Sequence, residues 1–97
     1  MTFEEYKNQI DIWMNLIGES NLRLSNDKPV PMTFWKTFLG LTRKQHQDMY
    51  NGTFKNKTGR IPKYVAQAIR FAGKLDNDIF IEEVSYHLPI FEADKSS

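Results

Sequence analysis

The sequence predicts an all-α domain, a compact bundle of four to five helices. Apolar residues recur at three- and four-residue intervals, capping residues stand where such stretches begin, and glycines follow where they end. The chain has 97 residues, of which 40% are hydrophobic, and this suits one small core. It contains no Cys, which excludes a disulfide framework and thiolate zinc sites.

The first predicted element is an amphipathic helix over about residues 3–18. Its apolar stripe consists of Phe3, Tyr6, Ile10, Trp13, Met14 and Ile17. Thr2 and Glu5 form a capping box at its start, in which each side chain accepts from the other's backbone N–H, and Gly18 offers a stop. Residues 19–31 contain many turn-forming residues and two prolines, so we expect a loop there.

Two short helices are predicted next. The first covers about residues 32–39 and ends at Gly40, because glycine adopts positive φ most cheaply. Thr42 and Gln45 form a second capping box, which starts another helix that ends at Asn51-Gly52. The following segment, 53–60, is polar and basic without periodicity, and we expect a loop.

The last third of the chain predicts two more helices. The stripe of the first consists of Ile61, Val65, Ala68, Ile69 and Ala72, with Pro62 at its start and Gly73 just past its end. The stripe of the second, after Asp76, consists of Phe80, Val84, His87, Leu88 and Phe91. Pro89 is expected to end this helix, and a strand over 79–84 is the less favoured alternative. The predicted domain therefore spans residues 1–91, with 92–97 a disordered tail.

Charge is distributed very unevenly along the chain. Residues 31–74 contain nine of the thirteen Lys and Arg but only one of the twelve Asp and Glu, Asp48. This stretch has a net charge of +8, whereas residues 1–30 have −2 and residues 75–97 have −5. A basic segment of this kind is typical of a surface that binds a polyanion, although a lysine-rich solvated face is the simpler alternative.

The basic segment contains a helix-turn-helix pattern. A short helix, Gly40-Leu41 and a capped helix give two helices at a fixed angle, of which the second can enter the major groove. Residues 32–52 (MTFWKTFLGLTRKQHQDMYNG) resemble the helix-turn-helix of the phage repressor and Cro family, and the likeness extends to about residue 72. The chain departs from the family pattern at Lys36 and His46, and in the long connection 19–31.

The resemblance implies a sequence-specific DNA-binding regulator of the Cro or compact repressor type, lambda-repressor-like in fold, which inserts helix 42–51 into the major groove of duplex DNA. The residues that it turns towards bases are Thr42, Arg43, Lys44, Gln47 and Asp48. Arg43 suits guanine and Gln47 suits adenine, while Lys44 has the alternative of a phosphate. Asp48 either accepts from cytosine or pairs with Lys44 within the helix.

Further contacts are expected from the loop and the tail. The cations assigned to phosphates are Lys55, Lys57, Arg60 and Lys63, which position a protein without reading sequence. The family binds two-fold-symmetric sites as dimers, and the candidate homodimer contact is the apolar face Phe80, Val84, Leu88 and Phe91. The alternative is that this face closes the core of the single chain.

Other classes of function have little support in the sequence. His46 and His87, the only histidines, have no neighbouring ligand set, so we expect no metal, and His46 is expected at the edge of the core. No nucleophile–base pair or phosphate loop stands out, so we expect no enzyme and no cofactor. The rival interpretation is a protein-binding module, such as a phage-encoded inhibitor or antitoxin-like adaptor. With no signal peptide or membrane-length apolar run, a cytoplasmic protein is expected.

Overall fold

Five helices make up the regular structure of residues 1–95, the part of the chain that the computed structural model describes. They are α1 (Phe3–Glu19), α2 (Phe34–Leu39), α3 (Arg43–Asn51), α4 (Lys63–Gly73) and α5 (Asn77–Lys95). The described residues form no strand, and an isolated bridge between Arg23 and Pro29 fastens the loop between α1 and α2. The predicted all-α class is confirmed.

Local signals set the starts of α1 and α3 and the end of α2 as predicted, whereas Gly18 and Gly73 lie inside the last turns of α1 and α4. Thr2 Oγ1 accepts from the Glu5 N–H at 3.1 Å, and Glu5 Oε1 accepts from the Thr2 N–H at 2.9 Å. Thr42 and Gln45 repeat this capping box at the start of α3. Gly40 follows α2 with φ 72°, a left-handed conformation that would strain any residue with a Cβ. The start of α2 differs slightly from the prediction, because residues 32–33 form a turn.

Aromatic side chains from α1, α2 and α5 form the centre of the core. The ring centroids of Trp13 and Trp35 are 5.1 Å apart, and Phe80 lies 5.3 Å from Trp13. Phe34 and Phe91 meet edge to face at 5.7 Å. Such pairs contribute about 0.5–1.5 kcal/mol each beyond their buried area. The two tryptophans are therefore core residues, as the apolar stripe of the first helix predicted for Trp13.

The end of α5 differs from the prediction. Pro89 does not end the helix, which continues to Lys95, so residues 92–95 are not a disordered tail. Two contacts fasten its last turns: Glu92 Oε1 accepts from Ser25 N at 2.8 Å, and Lys36 Nζ donates to Asp94 Oδ2 at 2.7 Å. These contacts offset the backbone hydrogen bond that proline cannot donate. Residues 96–97 of the predicted tail lie outside the described residues.

The apolar face of α5 closes the core of the single chain. Phe80, Val84, Leu88 and Phe91 are all buried, the least of them 8% exposed. Side chains buried in one molecule offer no surface to a second, so the dimer-contact interpretation of these four residues is replaced by its alternative. Removing α5 would expose this core rather than release a folded monomer.

A buried hydrogen bond fixes α3 against α1. The Tyr6 hydroxyl lies 2.7 Å from His46 Nδ1, and both side chains are buried. Burial lowers the pKa of His46, while a hydrogen bond that the ring donates to the Met32 backbone opposes this shift. A backbone carbonyl can only accept, so the other ring nitrogen holds the proton and Nδ1 accepts from Tyr6. His46 thus lies deeper than the core edge that the sequence suggested.

A second polar contact between α1 and α3 lies nearer the surface. The Tyr50 hydroxyl donates to Asp11 Oδ1 at 2.7 Å, and Lys7 Nζ donates to Asp11 Oδ2 at 3.1 Å. The Lys7 ammonium also lies 5.2 Å from the centroid of the Tyr50 ring. The hydrogen bond from Tyr50 is the largest cause that lowers the pKa of Asp11. These contacts and the Tyr6–His46 bond hold α3 along its inner side.

Tyr6→Phe should lower the free energy of unfolding by about 1–3 kcal/mol, because it leaves the buried His46 Nδ1 without a donor. Urea unfolding followed by circular dichroism measures this change. Tyr64→Phe is the matched control, since the Tyr64 side chain is 60% exposed and its change should be close to zero. Equal effects of the two substitutions would contradict the proposed role of the hydrogen bond.

The lowered pKa of His46 gives a second prediction. The unfolded chain, where the pKa is near 6.5, binds the proton more readily than the folded chain does. Stability should therefore be complete above about pH 6.5 and fall below it, by about 1.4 kcal/mol per pH unit until the folded pKa is reached.

Urea midpoints between about pH 7.5 and pH 5 test this, above the range in which carboxylates contribute. His46→Gln should remove most of the dependence in this window, whereas His87→Gln, at a half-buried position on α5, should keep it. A slope that persists in His46→Gln would assign the dependence to other groups.

Candidate nucleic-acid interface

The outer face of α3 carries the side chains that are available to a ligand. His46 and Met49 are buried on the inner side. At 3.6 residues per turn, Gln47 and Asn51 lie on the opposite side and Arg43 lies on the flank of the helix, and all three are exposed. Each of these side chain types can hydrogen-bond to base edges.

Asn51 was not among the sequence-predicted residues. It was interpreted only as part of the helix end, but α3 includes it and Gly52 forms the cap with φ 76°. The signal that could have identified it is its spacing of four residues from Gln47 and eight from Arg43. Asn51 thus extends the exposed face by one turn.

Thr42 takes part in positioning α3. Its Oγ1 accepts from the Gln45 N–H at 3.1 Å, and Gln45 Oε1 accepts from the Thr42 N–H at 2.9 Å. A Thr at this position contributes about 1 kcal/mol to the helix as a cap. The hydroxyl group is exposed and retains its own proton for donation to a ligand.

Lys44 and Asp48 pair with each other, which is the intrahelical alternative. Lys44 Nζ lies 3.1 Å from Asp48 Oδ2, and Asp48 Oδ1 accepts from Thr53 Oγ1 at 3.1 Å. The hydrogen bond from Lys44 is the largest cause that lowers the pKa of Asp48. Asp48 therefore stabilises the end of α3. The side chain of Lys44 is 86% exposed, so it can leave Asp48 for another partner at little cost in free energy.

An open groove runs between α3 and the segment that follows it. Its volume is about 650 Å³, and its lining residues are Thr42, Lys44, Gln45, Asp48, Thr53, Phe54 and Lys55. Two lysines from different elements thus meet around one cleft. Arg43 lies elsewhere, in a second groove that it shares with Thr33, Lys36, Phe91 and Asp94. The candidate residues are therefore distributed over two sides of α3.

The basic loop after α3 is fastened at both ends. At its beginning, the Phe54 ring packs edge to face on Phe3, with centroids 6.4 Å apart. At its end, the Ile61 N–H donates to the Met1 carbonyl at 3.0 Å. Between them, Asn56 Oδ1 accepts from the Gly59 N–H at 2.8 Å and its amide donates to the Arg60 carbonyl at 2.7 Å. The loop is therefore held in one shape relative to α1.

The remaining predicted cations lie on this loop and at the start of α4. Lys57, Arg60 and Lys63 are exposed and lie outside the lining of the groove. Within residues 1–95, these three cations, Arg43 and Lys55 form no ion pair, although Arg60 lies near enough to Glu5 to help lower the pKa of that carboxyl. Five cations thus remain available to anions.

Lys36 has a different role from its basic neighbours. Its ammonium pairs with Asp94 and lies 5.9 Å from the centroid of the Phe91 ring. The side chain is only 19% exposed, so it packs along α5 rather than facing solvent. This contact explains how a lysine is accommodated on the packed side of α2.

Other kinds of site find no support in the described residues. No three His, Asp or Glu side chains of residues 1–95 come together in the way a metal site requires. None of the described helices is long and apolar enough to span a membrane. Comparisons of the chain with protein-family models, curated proteins and solved structures give no match.

Proposed function

We propose that this chain binds duplex DNA in a sequence-specific manner, with α2 and α3 acting as a helix-turn-helix and α3 entering the major groove. The observation that carries the proposal is the set of five cations without ion pairs, which lie on the outer face of α3, the loop after it and the start of α4. Exposed Lys and Arg that form no ion pair lower the cost of meeting a polyanion.

The dimensions of α3 support this role. An α-helix with its side chains is about 10–12 Å in diameter, which fits the width of the major groove of B-DNA, and the nine residues of α3 give it a length of about 13 Å. Gln47, Asn51 and Arg43 would supply base contacts from its exposed face. Thr42 and Asp48 have less direct roles, because both take part in the caps of α3.

The loop cations suit phosphates better than bases. Lys55 lies beside α3 in the open groove, whereas Lys57, Arg60 and Lys63 follow on the fastened loop and the start of α4. A phosphate contact fixes the register of a protein on the duplex and carries no sequence information. The cellular role that fits is transcriptional regulation by a small repressor of the Cro type, acting as a homodimer on a two-fold-symmetric site.

The first test is the salt dependence of binding. If about four to six phosphates are neutralised per subunit, log K should fall with log salt at a slope of about −4 to −5 per subunit. Duplexes selected from a random pool supply the ligand, and a fluorescence anisotropy titration measures the slope. Absence of binding at low salt, or binding that ignores salt, would favour the protein-binding module instead.

The second test separates base contacts from phosphate contacts. Arg43→Ala should relax preference at one base position and cost about 1–3 kcal/mol, as expected for a bidentate contact to guanine. Lys57→Ala should weaken binding to all sequences similarly and reduce the salt slope by about one. Repeating the selection with each variant gives the base preferences.

Lys28→Ala is the matched control for both substitutions, because Lys28 is exposed on the loop before α2 and outside the basic segment. It should change neither preference nor slope. If Arg43→Ala and Lys57→Ala behave alike, α3 is not the reading helix.

A further inference from the structure

The last helix, α5, has two apolar faces, and only one of them is used by the core. A second stripe, on the solvent-exposed side of α5, carries Ile79, Tyr86 and Ile90, which are 45%, 67% and 45% exposed. Glu83 lies in the same stripe between the first two. A surface helix normally has a single apolar stripe, so a second one marks a surface that another molecule covers.

The stripe has the spacing of a coiled-coil seam. Its positions are separated by four, three and four residues, which is the a and d pattern of a heptad. The stripe has the same order of side-chain types in both directions along the helix: an isoleucine, two residues with polar groups, and an isoleucine. A second copy of α5 placed antiparallel therefore brings Ile79 opposite Ile90 of that copy.

The central pair decides the orientation. In the antiparallel arrangement, Glu83 meets Tyr86 of the second copy, whose hydroxyl can donate to the carboxylate. In a parallel arrangement, the two Glu83 carboxylates would face each other in an apolar seam, which like-charge repulsion and desolvation oppose. The same stripe is thus complementary to itself in only one direction.

The neighbouring surface extends the apolar area. Phe71 and Leu75, at the end of α4 and just after it, are exposed and share a groove of about 330 Å³ with Ile79, Glu83 and His87. His87 Nδ1 donates to the Glu83 carbonyl at 2.8 Å and its ring contacts Phe38, so this wall is fixed by the fold. The apolar strip continues from α4 along three turns of α5.

We propose that the chain forms a symmetric homodimer through this exposed stripe of α5, with the two helices antiparallel about a two-fold axis. The role of this dimer in binding DNA rests on the proposed function. The self-association itself does not, because it is measured without DNA. An isologous pair of this kind presents two reading helices to one symmetric site.

Analytical ultracentrifugation of the full chain over a concentration series tests the association. The wild-type chain should sediment as a dimer at the upper concentrations, and Ile79→Lys and Ile90→Lys should each raise the dissociation constant by about tenfold or more. Ile12→Lys is the matched control, since Ile12 is an isoleucine on α1 that is 58% exposed, and it should have no effect. Circular dichroism verifies that each variant is folded.

Disulfide trapping tests the orientation, and the chain offers a background without Cys. A mixture of Ile79→Cys and Ile90→Cys chains should form cross-linked dimers under mild oxidation. Each variant alone should not, because its two cysteines would lie about 16 Å apart along the antiparallel pair.

The outcomes separate this inference from the proposed function. A wild-type chain that remains a monomer, lysine variants that dimerise normally, or a single-cysteine variant that links to itself would each overturn the antiparallel α5 dimer. If the chain forms the expected dimer but does not bind DNA, the α5 interface stands and DNA binding is rejected. If the chain stays a monomer and binds DNA with the predicted salt slope, the α5 interface is rejected and DNA binding stands.

Discussion

The placement of α3 depends on one buried polar contact, the hydrogen bond from Tyr6 to His46. Because α3 has only nine residues, it cannot be stable alone and must be held by its neighbours. Its inner side offers few apolar groups, chiefly Met49, and the buried imidazole fills the place that a hydrocarbon would take. A buried histidine is tolerated only when both ring nitrogens have hydrogen-bond partners. The Tyr6 hydroxyl can donate to His46 Nδ1 only while α3 is in place and the imidazole is neutral. Tyr50 and Asp11 add a contact at the edge of the same interface.

The parts of the fold that sequence reasoning predicted are those that local chemistry decides. The capping boxes at Thr2 and Thr42 require partners only three residues away, and their presence sets two helix starts. Gly40 likewise ends α2 through its own backbone conformation. The predicted end of α5 was wrong because Pro89 is only a local signal. Contacts with distant residues override it, since Phe91 packs on Phe34 and Asp94 pairs with Lys36. No pattern within residues 77–95 contains that information.

The candidate site was predictable to a similar extent. The exposed positions of α3 follow from helical spacing, which places Arg43 and Gln47 outside. The pairing of Lys44 with Asp48 was one of two alternatives, and the choice depends on Thr53, whose hydroxyl binds the same carboxylate. For α5, spacing identified an apolar face but could not say whether Phe80 and Val84 would meet the same chain or another. Only the packed structure shows that they are buried and that Ile79 and Ile90 are left outside.

The ion pairs of the fold divide its charges into two groups. Lys36 pairs with Asp94 between α2 and α5, whereas Lys7–Asp11 and Lys44–Asp48 are surface pairs within α1 and α3. The cations beyond α3 form no ion pair among the described residues, although Arg60 acts on the Glu5 carboxyl from beyond ion-pair distance. Leaving these cations unpaired costs the folded chain little, because they are solvated. An anion that binds them does not first have to break an ion pair, so the free energy of binding is not reduced by that step. The same separation explains why a chain with a net charge of only +1 can present a strongly basic surface.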